Sequence, residues 1–210
     1  MRIKLRYVLL PLALICAAAF AQEGFPLFTT DFPPAEFAAR RDGVYKAIGA
    51  NGLALLQGAP SPTGYTRFRQ SNEFYYLCGI EIPHAYLLLD GAAKRTSLYL
   101  PHRNDGRERG EGKLLSAEDA DLVIKLSGVD AVYGSDLLAE HLARATRTSG
   151  RALYTPFSPA EGFAMSRDLA VRVIGDYAAD PFDGRSSREG TLIQSLRLRF
   201  PQFEIRDLTP

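Results

Sequence analysis

The chain has no tryptophan, and among its 210 residues only two are cysteine and three are histidine. These shortages exclude several chemistries. Cys16 lies in an N-terminal apolar run, so removal of that run leaves Cys78 alone, and no internal disulfide can form even in an oxidising compartment. His84, His102 and His141 fall on three different segments, and no H-E-x-x-H motif is present. A G-x-S-x-G nucleophile elbow is also missing, and no histidine has an evident triad partner, which argues against an unrelated serine or cysteine hydrolase. Charge of one sign is not in excess: 25 Lys and Arg face 24 Asp and Glu. That balance gives no electrostatic reason to bind nucleic acid or an anionic membrane. There is no internal repeat and no low-complexity segment.

What is present begins with a leader. Arg2, Lys4 and Arg6 form a basic start, Tyr7 to Ala18 is apolar with Pro11 inside it, and Ala19-Phe20-Ala21 is an A-x-A cleavage site. The run is about a dozen residues, short of the ~20 that span a bilayer. Residues 1–21 are therefore expected to be a signal peptide, with Gln22 as the first mature residue and an uncleaved anchor as the alternative. Ile15 precedes Cys16 where a lipoprotein needs a small residue. The expected location is periplasmic or extracellular, with no membrane attachment after cleavage. Loss of the leader leaves 22 Lys and Arg against 24 Asp and Glu, a net charge of −2. Cys78 sits in an apolar setting without a helix start or fixed cation beside it, so it reads as a small buried hydrophobe rather than a nucleophile.

About 190 mature residues suffice for one domain with a proper core. Residues 22–33 read as an extended lead-in in which Phe25, Leu27, Phe28 and Phe32 are available to pack on the body. Pro33-Pro34 announces a helix over 35–50, with Phe37, Val44, Tyr45 and Ile48 at helical spacing and charges at Glu36, Arg40, Arg41 and Asp42; Asn51-Gly52 ends it. Leu53 to Leu56 is a continuous apolar run that suits a strand buried on both faces. Gly58 to Gly64 is a loop, Asn72 to Leu77 a short helix or irregular turn, and Ala85 to Leu89 a strand. It turns at Asp90-Gly91 into a hairpin partner at Thr96 to Leu100. Pro101 to Gly112 is charged and glycine-rich and reads as a surface loop. Helices follow near 117–126, 135–147, 167–179 and 188–199, with strands at 129–133, 152–154 and 203–205. Helices alternating with short apolar strands predict an α/β fold, a mixed β-sheet flanked by helices on both faces, in a domain over 34–208.

One stretch carries more than periodicity. It reads Arg67-Phe68-Arg69-Gln70-Ser71-Asn72-Glu73-Phe74-Tyr75-Tyr76-Leu77-Cys78-Gly79, and then Ile80-Glu81-Ile82-Pro83-His84 before the strand. This resembles the F-R-Q-x-S-x-F-x-Y-L-x-G signature of the amino-terminal domain of Xaa-Pro aminopeptidases (aminopeptidase P, in the creatinase/prolidase superfamily). Leu98 to Pro101 followed by Arg103, Asp105, Arg107 and Glu108 is similar to the family's strand and P-x-R-D-x-x-x-E step. Gly112-Lys113-Leu114-Leu115 with Glu118-Asp119-Ala120 is similar to its G-x-R-L-G and acidic-Ala step, and Phe203 to Asp207 to the segment before the catalytic domain. The likeness covers most of residues 30–208 and is strongest over 66–120. In two places the chain departs from it. Gly110 stands where many members carry tryptophan, and His84 where an acid often follows Glu-x-Pro.

The resemblance implies a mixed sheet flanked by helices, and hydrolysis of the bond between an amino-terminal residue and a following proline. It implies two metal ions, typically manganese, held by two Asp, two Glu and one His in a separate carboxyl-terminal metallopeptidase domain. Paired metals lower the pKa of a bridging water and clamp the developing oxyanion. This chain offers no such ligand set, so no catalytic residue and no metal ligand is assigned to it, and it is expected to be inactive alone. Its end at Pro210 reads as a truncated or partial form without the catalytic domain. Phe68, Arg69, Gln70, Phe74, Tyr75, Tyr76 and His84 are the candidates for lining a substrate cleft or a subunit interface. For Arg69 and Gln70 the competing role is bonding the backbone of irregular chain. In oligomeric members loops of this domain reach a neighbouring active site, a role that the missing aromatic at Gly110 weakens. Arg185, Arg188, Arg197 and Arg199 read as a solvated helix face, His102 as a solvated loop residue, and His141 as core or boundary packing. Two functions result. One is a non-catalytic domain that supports oligomerisation and borders the cleft for proline-containing peptides. The other is a stand-alone dimerisation or peptide-binding module.

Overall fold

A proline pair starts the first helix. Pro33 is the cap and Pro34 the first helical residue of α1 (Pro34–Ile48), where a fixed φ and a missing N–H cost nothing. The computed structural model describes residues 32–62, 64, 67–160 and 166–209; the leader and most of the lead-in lie outside the described residues. The chain leaves α1 at Gly49, whose φ of 65° favours glycine, two residues before the Asn51-Gly52 stop that the pattern indicates. Gly52 instead opens β1 (Gly52–Gln57). There follow α2 (Asn72–Cys78), β2 (Tyr86–Asp90), β3 (Arg95–Leu100) and α3 (Asp105–Glu111). A 3-10 turn (Ala117–Asp119) leads into α4 (Ala120–Ser127), then β4 (Ala131–Gly134), and a second (Ser135–Leu137) leads into α5 (Leu138–Ala145). The chain ends with β5 (Ala152–Thr155), α6 (Arg167–Ala179), α7 (Arg188–Arg199) and β6 (Glu204–Asp207).

The strands form one sheet in the order β4-β3-β2-β1-β5-β6. The hairpin makes β2 antiparallel to β1 and β3, while β1–β5, β3–β4 and β5–β6 are parallel. Alternation along the strands divides the core in two. Ala54, Leu56, Leu87, Leu89, Leu98 and Leu100 pack with Phe74, Leu77 and Val123 of α2 and α4. Leu53, Leu55, Leu88, Tyr99 and Leu153 pack on the other face with Leu142 of α5 and Leu196 of α7. Leu53 to Leu56 of β1 are all apolar because the strand feeds both clusters.

Two expectations need correction. The stretch 101–112 is not all loop. Asn104 caps α3 by accepting from the Arg107 N–H at 3.0 Å, and Asp105 and Glu108 supply acids to its first turn. Arg41, counted among the charges of α1, is buried at 3% exposure. Its Nη1 donates to the carbonyls of Leu77 (3.0 Å) and Ser127 (3.2 Å), and its Nη2 to that of Gly128 (2.5 Å). One guanidinium thus closes the C-terminal ends of α2 and α4, where unpaired carbonyls and the helix dipoles favour a cation.

Candidate functional site

β1 and β5 are parallel neighbours, yet the chain leaves β1 toward β2 and leaves β5 toward β6. The carboxyl ends of such a diverging pair leave a crevice, the usual place for a ligand in an open α/β sheet. Here the segments after β1 (59–62 and 67–72) face α6 and the start of α7 across a groove of about 870 Å³. Phe68, Arg69 and Gln70 line one side, and Val173, Ile174 and Tyr177 the other.

Gln70 holds this side in shape. It is 8% exposed. Its Oε1 accepts from the N–H groups of Ala59 and of Ser71 (3.0 Å), and its Nε2 donates to the Ile82 carbonyl (3.0 Å). Three irregular segments, which cannot pair their own backbone, are joined through one amide. His84 adds a second tie. Its backbone sits at φ 60°, its N–H donates to the Ala59 carbonyl (2.9 Å), and its Nε2 accepts from the Ser61 N–H (3.2 Å). From α3, Arg107 Nη2 donates to Ser61 Oγ at 3.2 Å. Arg188, at the start of α7, is half-buried and donates to the Gly58 carbonyl, and burial lowers its pKa. It is therefore not part of a solvated helix face.

The structure brings Phe68, Arg69 and Gln70 into the groove and ties His84 to the same loop. It does not bring the aromatic run there. Phe74 is enclosed in the core and Tyr75 is half-buried. Tyr76 is exposed on the other side of α2, with the Arg40 guanidinium 4.4 Å from its ring centroid; the same guanidinium lies 4.5 Å from that of Phe32. Ser61 and Arg188 were missed by sequence reasoning. Arg188 meets Gly58 across 130 residues, and no local pattern marks such a contact.

The remaining candidates have settled surroundings. Cys78 is fully enclosed, its Sγ lies 3.3 Å from the Phe74 carbonyl, and burial pushes the thiol up to about 12, so the thiolate a nucleophile needs is scarce at neutral pH. His141 packs at the boundary, with Nδ1 2.8 Å from the Tyr99 hydroxyl and its ring 4.8 Å from that of Tyr133. His102 is exposed, as a loop residue should be, but it is clamped between Glu118 Oε1 (2.6 Å) and Asp136 Oδ1 (3.0 Å). Among the described residues no three His, Cys, Asp or Glu side chains converge where they could hold a metal ion. A dinuclear manganese centre therefore has no donor set among them.

The family model for the aminopeptidase P N-terminal domain matches residues 37–154. The chain belongs to that family. It is 31% identical over 133 residues to a probable Xaa-Pro aminopeptidase of Pyricularia oryzae, covering 60% of this chain and 25% of that protein. It is 35% identical over 145 residues to Xaa-Pro aminopeptidase 3 of Mus musculus, covering 66% and 28%. The matched part thus spans about a quarter of the length of these curated relatives. A putative aminopeptidase P from Bacillus anthracis shares the fold with a TM-score of 0.64 at 17% identity, over 85% of this chain and 39% of that one. This aminopeptidase P N-terminal domain has the six-stranded mixed sheet expected of it. Its family match runs from α1 through the signature loop to β5, so one wall of the groove lies inside the match, while α6 and α7 follow it.

Proposed function

We propose that this domain is the non-catalytic, amino-terminal part of an exported Xaa-Pro aminopeptidase-like enzyme. In that role it supports oligomerisation and borders the cleft that receives proline-containing peptides. Turnover belongs to a carboxyl-terminal metallopeptidase domain, with manganese as its metal. The observation that carries this reading is the family match against only a quarter of the relatives' length. The loop held by Gln70 and His84 supports a positioning role, because a rigid loop can present Phe68 and Arg69 in one place. The test is an Xaa-Pro peptide assay on purified, peptidase-free residues 22–210 with added manganese. No release of the N-terminal residue is expected; metal-dependent turnover overturns the reading. Export is checked by cell fractionation and N-terminal sequencing, with Gln22 as the expected start. The open groove also favours a second reading, a peptide-binding module. Saturable binding by a monodisperse assembly in light scattering supports the module. Aggregation relieved by a co-expressed catalytic domain supports the fragment.

A further inference from the structure

Two buried side-chain polar atoms of the described residues, Thr155 Oγ1 and Arg167 Nε, have no hydrogen-bond partner. Both residues line the same small cavity, about 30 Å³, at the carboxyl end of β5. Thr155 is only 1% exposed, so its hydroxyl cannot turn to bulk water. Buried polar groups are almost always paired, so two unpaired ones at one cavity call for an occupant with a polar atom. The volume suits one water or one oxygen of a larger molecule. This cavity shares Ser71, Ala160 and Glu189 with the groove and so adjoins it.

The charge of the groove is uneven. Arg67, Arg69 and Arg188 line it, and among the described residues Glu189 is its sole carboxylate. That carboxylate is already engaged, accepting from the Ala160 N–H at 3.2 Å. Arg67 and Arg69 are exposed and have no ion-pair partner among the described residues. In the adjoining cavity, Arg167 pairs through Nη2 with Glu73, which leaves Nε as a further donor. The walls between are apolar: Phe68 and Pro60 face Val173, Ile174 and Tyr177. Guanidinium groups pair well with a planar carboxylate. The size and the position at the strand divergence are those of a small-molecule site.

We infer that this groove is a binding site for a small molecule with a free carboxylate on an apolar body, a class that includes the C-terminus of a short peptide. The carboxylate lies against Arg67 and Arg69, the apolar body against α6, and a polar atom of the ligand, or a water it holds, meets Thr155 Oγ1. The inference does not depend on a catalytic partner, since every residue it uses is in this domain.

The test is an NMR titration of the ¹⁵N-labelled chain with N-acetyl-L-leucine, using N-acetyl-L-leucinamide as the uncharged control. Saturable shifts are expected for residues 68–71 and 170–177, with the amide at least about tenfold weaker. The double variant Arg67→Gln/Arg69→Gln should lose about tenfold in affinity for the acid and none for the amide, with an unchanged thermal melt. Thr155→Val, which keeps the shape and removes the unpaired hydroxyl, should weaken the acid severalfold. Equal affinity for acid and amide, shifts outside the groove, absence of saturation, or wild-type affinity in both variants overturns the inference. Any of these outcomes leaves the Xaa-Pro assay to decide the domain's role separately.

Discussion

Replacing Arg41 by methionine keeps much of the stem's apolar packing and deletes the guanidinium that closes α2 and α4. Three carbonyls, those of Leu77, Ser127 and Gly128, lose a donor at 2.5 to 3.2 Å. Each buried acceptor left unpaired costs on the order of 1 kcal/mol or more, so the change should destabilise the fold by about 3 kcal/mol. The charged group's own burial cost is recovered at the same time, which keeps the figure at the lower end of the range for such bonds. With a urea slope of about 2 kcal/mol/M, usual for a domain of this size, the midpoint should fall by about 1.5 M. Arg41→Lys retains charge but cannot reach three carbonyls with a planar fork, and should fall between wild type and Arg41→Met. Equilibrium unfolding followed by circular dichroism measures all three proteins. A midpoint within about 0.3 M of wild type for Arg41→Met would show that these contacts do not hold the helix ends, and would refute the argument.

Other consequences can be measured directly. Both ring nitrogens of His102 face carboxylate oxygens, so both must carry protons for the clamp to close, and the hydrogen bonds to Glu118 and then Asp136 raise its pKa above 6.5. The stability it contributes is thus fully present below the ordinary histidine pKa and is lost as pH rises through the raised value. An NMR titration of the His102 ring should give a value above 6.5 that Glu118→Gln brings back toward it; an unshifted wild-type value refutes the clamp. The hydrogen bond from His102 and the Arg103 N–H hold the Glu118 carboxyl down to about 2, so acid should break the Glu118 arm of the clamp only near that pH. Gly134→Ala would push a methyl group into the His102 ring and Asp136 Oδ1, and should lower the His102 pKa. Cys78, enclosed and with its thiol pushed up to about 12, should react with a thiol reagent only as fast as the domain opens; rapid labelling of the native chain contradicts the packing described.

The alternation of apolar strands with helices, the Asp90-Gly91 hairpin and the buried run Leu53 to Leu56 could all be read from the amino-acid order. Each depends on neighbours a few positions apart. The signature at 67–79 marked the family for the same reason, since its residues are contiguous. What needed the tertiary structure involves partners far along the chain. Arg41 is a core cation because Leu77 and Gly128, 36 and 87 residues away, bring their carbonyls to it. The 105–111 stretch has no apolar period to announce a helix; its Asn104 cap and the reach of Arg107 to Ser61 accompany that turn in the fold. The signature's aromatic run looked like one surface in the sequence, but α2 sends Phe74 into the core and Tyr76 out against Arg40, away from the groove that Arg69 lines. Local order determined most of the elements and the family of this protein. The groove at the divergence of β1 and β5, and the adjoining cavity with its unpaired Thr155 hydroxyl, were decided only by sheet order, because strand adjacency is a choice among distant segments and leaves no periodic trace.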